Sequence, residues 1–429
     1  MRPVSVIDVR IWGKKVGSVA LDPRYDYYSF KYDPKFVTTG IELAPLTMPL
    51  AKAHAPFFFP NLPELTFHRL PALLADALPD DFGNNLIDAW MLRKGISKSA
   101  ISALDRLAYM GKRAMGALEF HPARGPAKAS YTAIKLSKLV EDARQVVQGH
   151  FDSDSHALAA LSHIIRVGTS AGGARAKAVI AWNPKTKEIR AGQFDVEPGF
   201  EHWLLKFDGV AGNTLGDSQD YGRIEYAYHL MARQAGITQS PCALLHENGR
   251  THFMTRRFDR ENSAKYHIQT LCAMSHMDYK QTSSFGYDQL FATLDELGLS
   301  HTDVEEAFRR MVFNVLSANC DDHTKNFSFL LREGGIWELA PAYDLTHAYN
   351  PDSPWVCRQF MSVNGKFADI RKADFLVLAD RFSVYAAPKI IEEVSKVVRA
   401  WPDFAKEAGV CDPESERIYR HHLERHISR

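Results

Sequence analysis

Two carboxylates and one amide fall at fixed distances in the C-terminal half of this chain. Asp321 is followed five residues later by Asn326, and 18 residues after that by Asp344. They stand in Asn319-Cys320-Asp321-Asp322-His323-Thr324-Lys325-Asn326 and in Ala340-Pro341-Ala342-Tyr343-Asp344-Leu345. This acid–amide–acid order suits phosphoryl transfer: one base for a hydroxyl proton, then two oxygen ligands for Mg²⁺. A helix over 304–316 delivers the chain to Asn319, with Phe308, Val312, Phe313, Val315 and Leu316 as its apolar face. Strand-like pieces at 327–331 and 337–339 lie between the amide and the second acid.

The spacing to Asn326 singles out Asp321 as the base. Asp322 is adjacent, so its side chain points elsewhere, and with His323 it is expected to brace the loop. Lys325 either touches the transferring phosphate or is solvated. Asp344 is read as the second metal ligand beside Asn326, with an Asx-turn as its purely structural alternative.

The rest of the chain admits this reading. Its 429 residues allow two or three domains, and a net charge of +1 argues against a protein that coats nucleic acid by itself. The first ten residues carry charges where a signal peptide needs an apolar core. No uncharged apolar run approaches the roughly 20 residues of a membrane span. The five cysteines form no Cys-x-x-Cys pair, which predicts reduced thiols in a cytoplasmic protein.

Strands are expected over 4–12, 18–21 and 25–32, with a hairpin turn at 13–17. Helices are expected over 73–94 and 104–110. A domain boundary is placed between 121 and 154, containing an amphipathic helix over 134–147 and, at 152–155, a helix cap. Then follow a helix (157–165), a Gly-rich turn (168–173), strands (177–182, 202–207), a helix (223–235) and strands (242–246, 251–255). From about 265 the pattern is mostly helical. The resulting domains are 1–125, 126–258 and 259–429.

Thr169-Ser170-Ala171-Gly172-Gly173-Ala174-Arg175-Ala176-Lys177 sets glycines beside hydroxyls and cations. Its backbone suits close approach to phosphate, although a plain turn is also compatible with it. It lacks the Gly-Lys-Ser/Thr ending of a P-loop. Lys206 lies inside an apolar strand, where it either snorkels to water or carries a ligand's charge. Glu225, near the start of the next helix, is its candidate partner; it also suits the helix dipole.

These motifs resemble the HipA family of serine/threonine kinases, the toxin half of HipA–HipB toxin–antitoxin pairs. Also similar are Leu205-Lys206-Phe207, Glu225-Tyr226, Arg257-Phe258-Asp259-Arg260 and, nearer the N-terminus, residues 73–83. The resemblance implies an α+β, eukaryotic protein-kinase-like two-lobed fold with a mostly helical C-lobe and an N-terminal α/β subdomain. It implies ATP and Mg²⁺ as cofactors and Asp321 as catalytic base, with Asn326 and Asp344 on the metal. ATP would be held by Lys206, Lys177 and the loop residues Ser170, Gly172, Gly173 and Ala174. Backbone groups of Arg257 and Phe258 are expected on the purine. Ser170 matches the family's self-phosphorylated loop serine. The implied partners are a small, dimeric helix-turn-helix antitoxin, operator DNA through that antitoxin, and a protein substrate such as an aminoacyl-tRNA synthetase. Two departures stand out: Ala-Arg-Ala precedes Lys177, and Arg256 replaces a frequent acid. Three alternatives remain open: a metal phosphohydrolase built on Asp321, Asp322 and His323, a pseudokinase co-repressor, and a small-molecule kinase.

Overall fold

The computed structural model describes residues 3–79, 81–126, 133–148, 164, 176–210 and 220–425. The chain divides into two compact units. One comprises Met1–Gln219, Leu245–Gln269 and Leu330–Ile336; the other comprises Asp220–Leu244, Thr270–Phe329 and Trp337–Arg429.

The first unit begins with an antiparallel sheet of β1 (Val6–Ile11), β2 (Lys14–Asp22), β3 (Tyr27–Tyr32) and β4 (Glu119–His121), in the order β3-β2-β1-β4. Alternation sets its faces: Ile7, Val9 and Ile11 are fully buried, and Val6 and Arg10 are exposed. The turn between β1 and β2 is tighter than expected. Trp12 and Gly13 alone form it, at φ 47° and 75°, as the twist of a two-residue hairpin requires. Gly17 therefore lies within β2, opposite Tyr32, where a Cβ would come 2.2 Å from the Lys31 carbonyl oxygen. The single helix expected over 73–94 is two, Ala72–Ala75 and Asp81–Leu92, with Pro79 between them. Helix Ala103–Met110 starts on a Ser102–Asp105 capping box and stops at Gly111.

The second sheet orders β5 (Lys177–Trp182), β6 (Ile189–Ala191), β7 (Glu201–Lys206), β8 (Cys242–Glu247) and β9 (Arg250–Arg256) as β6-β5-β7-β9-β8. Every residue of β5 is buried, as a strand covered on both faces demands. The three-residue β6 carried too little pattern to be foreseen.

The second unit is mostly helical, and helix His301–Leu316 is its axis. A Ser300–Asp303 capping box fixes the start of this helix. Phe308, Met311, Val312 and Phe313 are fully buried along it. Tyr228, on helix Tyr221–Gln234, packs its ring against Phe313, Trp401 and His422 at 5.3–6.0 Å. Among the described residues no helix is long and apolar enough to cross a membrane.

Among the described residues burial pushes six histidines well down: His202, His252, His267 and His276 to about 4, His422 to about 3 and His347 to about 2. In the unfolded chain each titrates near 6.5. Below that pH the unfolded state binds protons that the folded state refuses, so stability present above about pH 6.5 is lost as pH falls. Asp322, raised to about 6 by burial, acts in the opposite sense over roughly pH 4–6. The lowered histidines outnumber the raised acids Asp322 and Glu42. The unfolding temperature is expected to fall from about pH 7 to about pH 5; a flat or rising profile would show that these rings are charged in the folded chain.

Candidate active site

After helix His301–Leu316 the chain turns through Ala318, at φ 54°, into the Asn319–Asn326 loop. Backbone bonds tie the base of this loop to Ala348: the Cys320 N–H donates to the Ala348 carbonyl (3.1 Å), and the Ala348 N–H to that of Ala318 (3.1 Å). The two adjacent acids then part. Asp322 points inward, is 1% exposed, and accepts from the Tyr287 hydroxyl (2.6 Å), the Phe360 N–H (2.7 Å) and Gln359 Nε2 (3.1 Å). Burial raises its pKa to about 6, and these donors offset part of that rise. Tyr287 in turn accepts from Asn314, which accepts from Asn319. Asp321 faces the other way, with a half-exposed side chain. The loop thus has one buried acid and one presented acid.

His323 is pressed between the rings of Tyr279 and Phe360, and burial lowers its pKa. Its Nε2 is 3.9 Å from Asp321 Oδ1, too far for a hydrogen bond. Among the described residues no three His, Cys, Asp or Glu side chains are grouped to hold a metal ion, Asp321, Asp322 and His323 included, which weighs against the phosphohydrolase reading. Lys325 sets its ammonium 4.6 Å from the centre of the Tyr279 ring.

The amide of Asn326 has a defined orientation. Its Nδ2 donates to the backbone carbonyl of Asp321 (2.7 Å), which leaves Oδ1 as the end able to bind a cation. Asp344 follows strand Trp337–Leu339 and adopts φ 54°, a left-handed conformation uncommon outside glycine. Tyr343 secures that turn: its hydroxyl donates to the Lys325 carbonyl (2.6 Å) and bonds Ser328 Oγ. Asn326 and Asp344 consequently line the same small cavity, with Asn314, Asn319 and Asp322. An amide oxygen and a carboxylate are hard oxygen donors suited to Mg²⁺.

In the first unit, Lys177 of β5 and Lys206 of β7 are directly opposed in register. Lys177 is 2% exposed and Lys206 is half-buried, its ammonium 5.7 Å from the centre of the Phe253 ring. Residues opposed in an antiparallel pair project from the same face of the sheet, so both ammonium groups lie on one side of it. Ser170, Gly172, Gly173 and Ala174 lie outside the described residues, as do the expected helix cap at 152–155 and most of the helix at 157–165. Glu225 is buried in helix Tyr221–Gln234 of the second unit.

Arg257 is placed differently from expectation. Its N–H donates to the His202 carbonyl (2.9 Å), which takes that group away from a purine. Its guanidinium grips Asp259 by two bonds of 2.8 and 2.6 Å. Arg260 reaches the same carboxylate (2.5 Å) and the carbonyls of Ala114 and Gly116, and the Gly116 N–H completes the cluster at 2.8 Å. Burial alone would raise the Asp259 pKa, but the two guanidiniums outweigh it and hold the acid well below the usual range. This segment is a buried clasp as well as a strand exit.

A family model described as the HipA-like C-terminal domain matches residues 169–401, more than half of the chain, and one described as the HipA N-terminal domain matches residues 7–121. The chain belongs to the HipA family. It shares the fold of a chain in the Shewanella oneidensis MR-1 HipA, HipB and operator DNA complex: the match covers 98% of this chain and 96% of that one, at a TM-score of 0.69 and 17% identity. Two curated proteins of Sinorhizobium fredii that carry provisional kinase names are also similar. Y4mE is 28% identical over 43% of this chain, and Y4dM is 31% identical over 21% of it. The chain spans only 40% and 22% of the lengths of these relatives. The α+β HipA fold expected from the motifs is the one observed. Sequence spacing located the HipA-type loop, but gave no sign of Tyr287 or Gln359, which hold it from distant elements, or of Asn314 on the helix that leads into it.

Proposed function

We propose that this HipA-family chain is an ATP- and Mg²⁺-dependent serine/threonine protein kinase, the toxin of a type II toxin–antitoxin pair. One observation carries the reading. The amide of Asn326 is locked on the Asp321 carbonyl and shares a cavity with Asp344, while the Asp321 carboxylate is turned outward. In this reading Asp321 accepts the proton of the attacking hydroxyl. Asn326 Oδ1 and Asp344 hold Mg²⁺, and Lys206 and Lys177 neutralise phosphate oxygens. Mg²⁺-ATP supplies the transferable phosphoryl group. The Gly172-Gly173-Ala174 loop and the backbone of Phe258 complete the proposed nucleotide site.

Asp344→Ala is expected to weaken Mg²⁺-dependent nucleotide binding by about tenfold or more, roughly 1.4 kcal/mol, by calorimetry. Unchanged affinity would take Asp344 off the metal. Ser170 is the proposed site of self-phosphorylation, because a phosphate of nearly −2 charge there competes with those of ATP. Ser170→Ala should remove that phosphopeptide from the map of the protein incubated with Mg²⁺-ATP, and an unaltered map would move the site.

The proposed partner is a small dimeric helix-turn-helix antitoxin of HipB type, with operator DNA reached mainly through it; the Shewanella assembly supports this by its composition. A translation component such as an aminoacyl-tRNA synthetase is the proposed substrate, and the cytoplasm the proposed compartment.

A further inference from the structure

We infer that Gln359 is the positioning residue that aims Asp321, and that Arg425, just past the last helix, anchors it; the inference rests on the kinase reading above. Gln359 is 1% exposed, and both ends of its amide are engaged. Nε2 donates to the Asn319 carbonyl and to Asp322 Oδ2, both at 3.1 Å. Oε1 accepts from Arg425 Nη1 and from the Cys320 thiol, both at 3.0 Å. Two donated and two accepted bonds use the capacity of a primary amide in full. The orientation of the amide is forced, because a guanidinium only donates and a carbonyl only accepts.

The contacts of Gln359 bracket the reactive acid. Asn319 and Cys320 precede Asp321 and Asp322 follows it, so one side chain fixes the loop on both sides of Asp321. The neighbouring Phe360 N–H adds a bond to the other oxygen of Asp322. Arg425 also braces the other flank of the loop. Its guanidinium lies 4.5 Å from the centre of the Tyr349 ring, one residue past Ala348, which bonds to Cys320. His421, on helix Asp412–Glu424, meets the edge of the same ring at 4.9 Å and bonds to His347 at 3.0 Å. The C-terminal helix therefore grips both segments that flank the catalytic loop.

The test compares Gln359→Leu, Gln359→Glu and Arg425→Met with the unaltered full chain. Gln359→Leu removes both donors and strands Arg425. Turnover per folded molecule is expected to drop roughly 10- to 100-fold, as small misplacements of a reacting group do, with KM for ATP unchanged. Arg425→Met should lower turnover several-fold in the same manner. Gln359→Glu keeps the acceptors for Arg425 and Cys320 but sets a carboxylate against Asp322. Its turnover relative to the unaltered chain is therefore expected to rise as pH falls from about 8 to about 6, where a shared proton restores the donor. A purely structural role would lower the unfolding temperature of all three and leave turnover per folded molecule and its pH profile unaltered; that result overturns the inference. If the unaltered chain transfers no phosphate, the kinase reading fails by itself. Amide exchange over 318–326 then decides the positioning claim: faster exchange confined to that loop in Gln359→Leu supports it, and unchanged exchange overturns it.

Discussion

Asp321→Asn is expected to lower phosphoryl transfer about 10²- to 10⁴-fold, the usual contribution of a general base, while nucleotide affinity and unfolding temperature hold. The separation follows from geometry. The Asp321 side chain is half-exposed, whereas the burial, the three strong hydrogen bonds and the raised pKa of the loop all belong to Asp322. An amide at 321 keeps the size of the side chain but cannot take the hydroxyl proton. Single-turnover transfer beside calorimetric nucleotide binding would check this. Transfer within about threefold of the unaltered protein would remove Asp321 from the base role.

Asp259→Ala is expected to destabilise the first unit by about 3–5 kcal/mol, because it leaves buried charges without their partner. Asp259 is fully buried between the guanidiniums of Arg257 and Arg260 and also accepts from the Gly116 N–H. Burial has already lowered Arg260 to about 10 with the acid in place. Without it, two cations face each other in a dry site and the Gly116 amide loses its acceptor. The cost is expected as a lower denaturation midpoint. A loss below about 1 kcal/mol would mean that water reaches the cluster and screens it.

Functional residues that neighbour one another in sequence were the legible ones. Asp321, Asn326 and Asp344 lie within one stretch that the short strands Ser328–Leu331 and Trp337–Leu339 fold back on itself, so their spacing alone could single out the candidate site. β5, β7 and helix His301–Leu316 were likewise written in local pattern, in apolar runs and a capped amphipathic face. Tertiary demands overrode local signals elsewhere. Gly17 read as a turn residue, yet is a glycine because β2 passes too close to Lys31 for a side chain. The Arg257 backbone read as a purine contact, but its N–H is spent on the His202 carbonyl. Gln359 and Arg425 carry no local signal, because their partners are tens of residues away.

The central claim is that this chain moves a phosphoryl group through Asp321. Intact-mass spectrometry of the purified protein, before and after Mg²⁺-ATP and beside Asp321→Asn, tests it most directly. The predicted result is a gain of about 80 Da per phosphate, mapped to Ser170, present in the unaltered chain either as purified or after incubation, and absent from Asp321→Asn. An unphosphorylated starting mass that does not change with Mg²⁺-ATP, or an equal gain in Asp321→Asn, would contradict the account.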